Sequence, residues 1–219
     1  LGGPSANLAP CPEGPLFSVA PIAAADLWIV APLGQLNPTS HVFPTDHLYL
    51  TLARIDGVPK IVNVSSPGAM TVTEITSQTF SSTGLTQYAI RFSPCAKYQG
   101  FFGHLVSLAP ALEAATKEGS GKCESYKTGG QTIASCRFAV ALVLAAGDPV
   151  GTAGGKGDNT YSLDFGTCDA RKKPATCANP ERWETGRSGF TECHGGCPLV
   201  ACSAAAKPQS RGARAGEKA

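Results

Sequence analysis

Imidazole chemistry in this chain is confined to four residues, His41, His47, His104 and His194. Two of them flank an acid in Ser40-His-Val-Phe-Pro-Thr-Asp-His47. Histidine and aspartate are ligand types of a catalytic zinc, which takes three protein groups and keeps a fourth position for water. On a strand beginning here, Asp46 shares parity with Leu48, Leu50 and Leu52. Its carboxylate then points to their buried side, where it is costly without a partner or a metal. His47 has the opposite parity, and Pro44 leaves the direction of His41 open. The same residues also suit a turn capped by Asp46, with both imidazoles on a loop. His104 sits in Phe101-Phe-Gly-His-Leu-Val106, a setting for either a catalyst or a satisfied, half-buried histidine. Ser162 and Asp164 in Tyr161-Ser-Leu-Asp-Phe165 are two apart and share one face of a strand. No Gly-x-Ser-x-Gly elbow and no phosphate-cradling Gly-Lys-Ser/Thr loop occurs.

The elements that must position these groups are mostly strands. Leu27–Ala31 reads as an edge strand after a Pro/Ala/Gly-rich entry arm, residues 1–26. From Asp46 the pattern is strongly extended, Leu48, Leu50 and Leu52 alternating with Tyr49 and Thr51, and Gly57-Val-Pro59 makes a turn. Residues 60–64, Met70–Phe80, 87–92, 101–106, 137–146 and 161–166 are further extended runs, rich in β-branched and aromatic side chains. Residues 107–118 are the helical piece, with Pro110 suited to a first turn. The stretch 147–155 reads as punctuation between strands. The pattern predicts an all-β fold, an antiparallel β-sandwich or barrel-like core with one short helix, over residues 27–170. Residues 171–219 form a basic, cysteine-containing tail without apolar periodicity.

Composition narrows the partners. Charged residues are 16% of the 219, below the roughly 25% usual for globular domains. Residues 1–170 carry 9 basic and 12 acidic groups and 171–219 carry 9 and 4, so the basic excess is confined to the tail. That is not the continuous positive face of a nucleic-acid binder, and no nucleic acid is expected. The longest apolar run, Phe138–Ala146, is nine residues, too short for a transmembrane helix of about twenty. Nine cysteines without a Cys-x-x-Cys pair point to disulfides in an oxidising compartment, secreted, periplasmic or at the cell surface. Cys123 and Cys136 bracket a turn-rich stretch and can staple a hairpin, a closure contributing about 3 kcal/mol. Cys11 with Cys95 is a candidate for a longer bridge. Cys193, His194, Cys197 and Cys202 are of zinc-ligand type, but their spacing and Gly/Ala-rich setting suit a frayed tail better.

Taken in order, these motifs resemble the lysostaphin-type zinc endopeptidases, which cut peptide cross-links in peptidoglycan and have a compact antiparallel β fold. The likeness runs from the His/Asp turn through Val64-Ser-Ser-Pro-Gly-Ala-Met-Thr-Val72 and Phe102-Gly-His-Leu105. It continues through Leu144-Ala-Ala-Gly-Asp-Pro-Val-Gly-Thr-Ala-Gly154 to Ser162-Leu-Asp-Phe165. By this resemblance His41, Asp46 and Asp164 would be metal ligands for zinc and His104 the catalytic histidine, with His47 and Ser162 as secondary candidates. Two departures matter. Ser162 stands where the family has a second catalytic histidine and Asp164 where it has a histidine ligand. Four residues rather than three separate His41 from Asp46. Losing one acid–base group costs about 10²–10⁴ in rate. The resemblance therefore implies a degenerate member, an exported domain recognising peptidoglycan peptide or a protein partner. The alternative is a metal-dependent endopeptidase working through the variant site.

Overall fold

A computed structural model describes residues 8–32, 47–118, 121–157 and 159–171. The expectations for His41, Asp46, His194 and the cysteines from 177 onward fall outside the described residues. At the end of the entry arm, a 3-10 turn at Ala24–Asp26 leads into β1 (Leu27–Ala31), β2 (Leu48–Leu52), β3 (Arg54–Ile55), β4 (Val58–Pro59) and β5 (Val62–Ser65). The long strands β6 (Met70–Phe80), β7 (Thr86–Cys95) and β8 (Tyr98–Leu108) follow, then helix α1 (Pro110–Glu118). The described chain closes with β9 (Lys122–Thr128), β10 (Gln131–Leu144), β11 (Pro149–Ala153) and β12 (Ser162–Asp169). The fold is all-β and antiparallel, as the alternation predicts.

The main sheet runs β1-β2-β12-β8-β7-β6-β10-β9, with β11 joining β8 to β5 off that path, and β3 pairs β4 separately. One edge of β8 serves two partners. Tyr98–Gly103 pairs with β12, whereas Leu105–Leu108 pairs with β11. That switch takes β11 and β5 away from the β2–β12 side and gives the fold its sandwich-like character. The core carries the alternate residues Leu48, Leu50 and Leu52 of β2, Ile90 and Phe92 of β7, Phe102 and Leu105 of β8, and Leu163 and Phe165 of β12. The rings of Phe102 and Phe165 lie 4.7 Å apart and those of Phe92 and Phe102 5.3 Å apart. Phe17 and Ile22 of the entry arm are also fully buried, so the arm is part of the core rather than an appendage.

Three differences from the sequence reading have local causes. Residues 107 and 108 stay in β8, because Ser107 pairs with Thr152 and its Oγ lies 2.6 Å from Thr152 Oγ1. The helix therefore starts at Pro110, with Leu112 buried. The Gly- and Pro-rich stretch 147–155 is not only punctuation but contains β11, whose glycine is a packing requirement: a Cβ on Gly151 would lie 2.1 Å from the Ser107 carbonyl oxygen. The segment after Cys123 is a strand, β9, exposed along its whole length at the sheet edge. Lysines at Lys122 and Lys127 suit an edge that must not pair with another chain.

Gly154 shows how tightly the end of β11 is seated. Its φ is +101°, and a Cβ there would stand 2.0 Å from the Lys60 carbonyl oxygen. Gly154→Ala is expected to lower stability by about 1–3 kcal/mol through overpacking against backbone. A thermal melt checks this, and an unchanged Tm would mean that the loop yields freely.

Candidate functional site

Three neighbouring strands place the site. In the order β2, β12, β8, each contributes a residue from the face opposite the core. On β12, Leu163 and Phe165 point into the core, so Ser162 and Asp164 point away from it. On β2 the three leucines are core, so Tyr49 and Thr51 share the face of Asp164, and His47 precedes them at the same parity. The register agrees, with Asp164 opposite Tyr49 and Ser162 opposite Thr51.

β8 presents its histidine by an irregularity. Tyr88 of β7 pairs with Leu105 and Ile90 with Phe102, so one residue on β7 faces two on β8. Gly103 and His104 together occupy that single outward position, a β-bulge of the kind that redirects side chains. His104 has φ +63°, unusual for a residue with a Cβ. Such a conformation costs about 1–3 kcal/mol and persists only where its surroundings over-determine it. Gly103 pairs directly with Asp164, and a Cβ there would come within 3.3 Å of the Asp164 Cβ. The glycine leaves room for the carboxylate and the imidazole to meet.

The result is a His–Asp–His cluster. His47 Nε2 lies 3.3 Å and His104 Nε2 3.2 Å from the same oxygen, Asp164 Oδ2. His104 Nδ1–H donates to Gln87 Oε1 at 2.9 Å, which fixes the ring and turns Nε2 toward the carboxylate. His47 is wedged edge-on between Tyr49 and Phe101, with ring centroids at 4.8 and 5.7 Å. The Asp164 side chain is only 9% exposed and that of His47 8%, whereas His104 is 27% exposed and forms the open side of the cluster. Burial pushes the Asp164 carboxyl up, but hydrogen bonds and charge from His104 and His47 outweigh it and hold the group at about 2. Its other oxygen, Oδ1, is buried and accepts no hydrogen bond from the described residues.

Of the residues singled out in the sequence, the structure brings together His104, Asp164 and His47 and places Ser162, fully buried, on the same face. Among the described residues, no group of three or more His, Cys, Asp or Glu side chains is arranged to hold a metal ion. The metal set implied by the resemblance shares only Asp164 with the described residues. Gln87 was not singled out from sequence. Its parity, opposite to Ile90 and Phe92, was the available signal.

All five cysteines among the described residues are in disulfides. Cys11 is bonded to Cys95 and Cys123 to Cys136, and Cys168 is also disulfide-bonded. No described helix is long and apolar enough to cross a membrane. Fold and site together define a disulfide-bonded, antiparallel β domain with a buried carboxylate shared by two imidazoles. Comparison with protein-family models, with curated proteins and with solved structures finds no match to this chain.

Proposed function

We propose that this chain is an exported cell-wall or surface-associated domain of lysostaphin-type fold that binds peptidoglycan peptide without cutting it. The observation that carries the reading is the convergence of β2, β12 and β8, distant in sequence, on one His47–Asp164–His104 cluster. The non-catalytic part rests on chemistry. Both Nε2 atoms face Asp164 Oδ2 rather than an open reaction centre, and the neighbouring position two residues before Asp164 is a serine. His104, on the open side, offers the exposed edge of its ring to a ligand, its two nitrogens being held by Gln87 Oε1 and Asp164 Oδ2. Oxidised cysteines support an exported setting.

The test is co-sedimentation with purified insoluble peptidoglycan, followed by analysis of the supernatant. Binding is expected to survive chelation, to weaken about tenfold in His104→Ala through loss of the ring's contact surface, and to release no soluble muropeptide. A second reading, a metal-dependent endopeptidase, draws on the buried Asp164 Oδ1, which has a lone pair available for a cation. That reading requires about one zinc per chain, lost on Asp164→Ala, together with turnover of cross-linked muropeptides. No binding to wall material and no turnover would defeat both.

A further inference from the structure

Five asparagines occur in the chain, and one of them, Asn63 in Asn63-Val-Ser65, stands two residues before a serine or threonine with no proline between. Asn37-Pro-Thr39 has the excluded proline, and Asn159 is followed at the second position by Tyr161. Asn-x-Ser/Thr is the acceptor pattern of N-linked glycosylation, and its use requires an asparagine at the surface of an exported protein. The structure meets the surface requirement. In β5, Val62 and Val64 are buried in the core, so Asn63 and Ser65 share the opposite face. Asn63 is exposed, and its carboxamide has no hydrogen-bond partner among the described residues.

The surroundings of Asn63 are those that a glycan protects. Among the described strands β5 pairs with β11 alone, so its other side is an edge. At one end of that edge the Ser65 N–H donates to the Pro21 carbonyl at 2.9 Å, where the entry arm covers it. Val62–Ser65 holds no charged residue, in contrast to the edge strand β9 with Lys122 and Lys127. Ile61, two residues before Asn63, is 63% exposed. An uncharged edge beside exposed apolar surface is a template for pairing with another chain unless something bulky and hydrated stands in the way. A glycan on Asn63 is both bulky and hydrated.

We propose that Asn63 is the acceptor of an N-linked glycan added during export. This assignment rests on the exported setting of the chain and not on its binding of peptidoglycan. In the transfer, Asn63 Nδ2 forms a bond to the anomeric carbon of an oligosaccharide carried on a lipid diphosphate. The sugar–phosphate C–O bond breaks, the lipid diphosphate leaves, and the amide gives up one proton. No oxidant or reductant takes part. The test translates the full chain, behind a cleavable secretion signal, in the presence of endoplasmic-reticulum microsomes, and protease then digests whatever stays outside them. Because the microsomes supply the export, the result reports on the acceptor site alone, and a failure here leaves the peptidoglycan reading to its own test. The protected chain is expected to carry one glycan, removable by peptide N-glycosidase, absent from Asn63→Gln and Ser65→Ala, and kept in Ser65→Thr. Since Asn63 is exposed, the glycosylated chain should form the Cys11–Cys95 bond as completely as Asn63→Gln does. The assignment is overturned if the protected chain carries no glycan, if a glycan persists in Asn63→Gln or Ser65→Ala, if it is lost in Ser65→Thr, or if the glycosylated chain fails to form that disulfide.

Discussion

Replacing Cys11 and Cys95 together by alanine is expected to remove about 4–5 kcal/mol of stability, because their bond closes a loop spanning 84 residues of sequence. The chain-entropy argument is reinforced by what the bridge holds. Cys95 is buried in the core at the β7–β8 turn, and Cys11 begins the arm that delivers Phe17 and Ile22 to the same core. Around the bond, Ala96 N–H donates to the Ala9 carbonyl at 3.0 Å, and the Arg171 guanidinium donates to the Pro12 carbonyl at 2.8 Å. Arg171 is itself held by Asp169, with Nε 2.8 Å from Oδ1 and Nη2 2.8 Å from Oδ2. An arm released by the double substitution leaves Phe17 facing water, and each large side chain so exposed costs about 1.5–3 kcal/mol. Part of that cost is already inside the loop-closure figure, so the two are not summed. Urea unfolding under non-reducing conditions checks the expectation. The Cys123→Ala/Cys136→Ala pair is the internal control. Its loop spans only 13 residues on an exposed edge hairpin, and its removal should cost about 3 kcal/mol. A smaller loss from the long-loop bridge than from the short one would show that the arm stays docked without it.

Both bridges were legible in the sequence, the short one from the turn chemistry between its cysteines, the long one only as a candidate. The strands were legible wherever alternation was clean, as in β2 and β6. They were hidden where packing needed small residues. β11 is built from Pro149, Gly151 and Ala153 because it threads between β8 and β5 with backbone close to backbone, and that composition imitates a turn. The site was half legible. Parity alone placed Ser162 and Asp164 on one face and His47 opposite the leucines of β2. The missing step was that Asp164 is itself opposite in parity to Leu163 and Phe165, which puts it on the side of His47. Two facts lay beyond any local pattern. Strand order makes β2 and β8 the two neighbours of β12, and the extra residue on β8 turns His104 outward from a strand whose Phe102 and Leu105 both point inward.

Removing the Asp164 carboxylate is the substitution with the largest expected effect within the site. Asp164→Ala leaves two imidazoles without their shared acceptor, one of them almost wholly buried, and losing a buried hydrogen-bond partner of this charged kind costs about 1.5–3 kcal/mol. The acid limb of the stability curve separates this electrostatic loss from simple loss of packing. Burial raises the Asp164 pKa and the two histidines lower it further than burial raises it, so the folded value is about 2 against 3.8 for an unperturbed aspartate. The depressed value means that the stabilisation is complete above 3.8 and is lost progressively as pH falls from there through about 2, because in that window the unfolded chain holds a proton that the folded state does not. The size of that loss is about 2 kcal/mol, since each tenfold change in proton affinity is worth roughly 1.4 kcal/mol. Asp164→Asn keeps the shape and removes the titration. Denaturant unfolding of wild type and Asp164→Asn between pH 5 and pH 2 should therefore show stability falling about 2 kcal/mol more steeply in the wild type. Parallel curves would mean that the carboxylate is not held by the two imidazoles. The shared cluster would then be an accident of packing rather than the feature that the bulge at His104 and the glycine at 103 exist to accommodate.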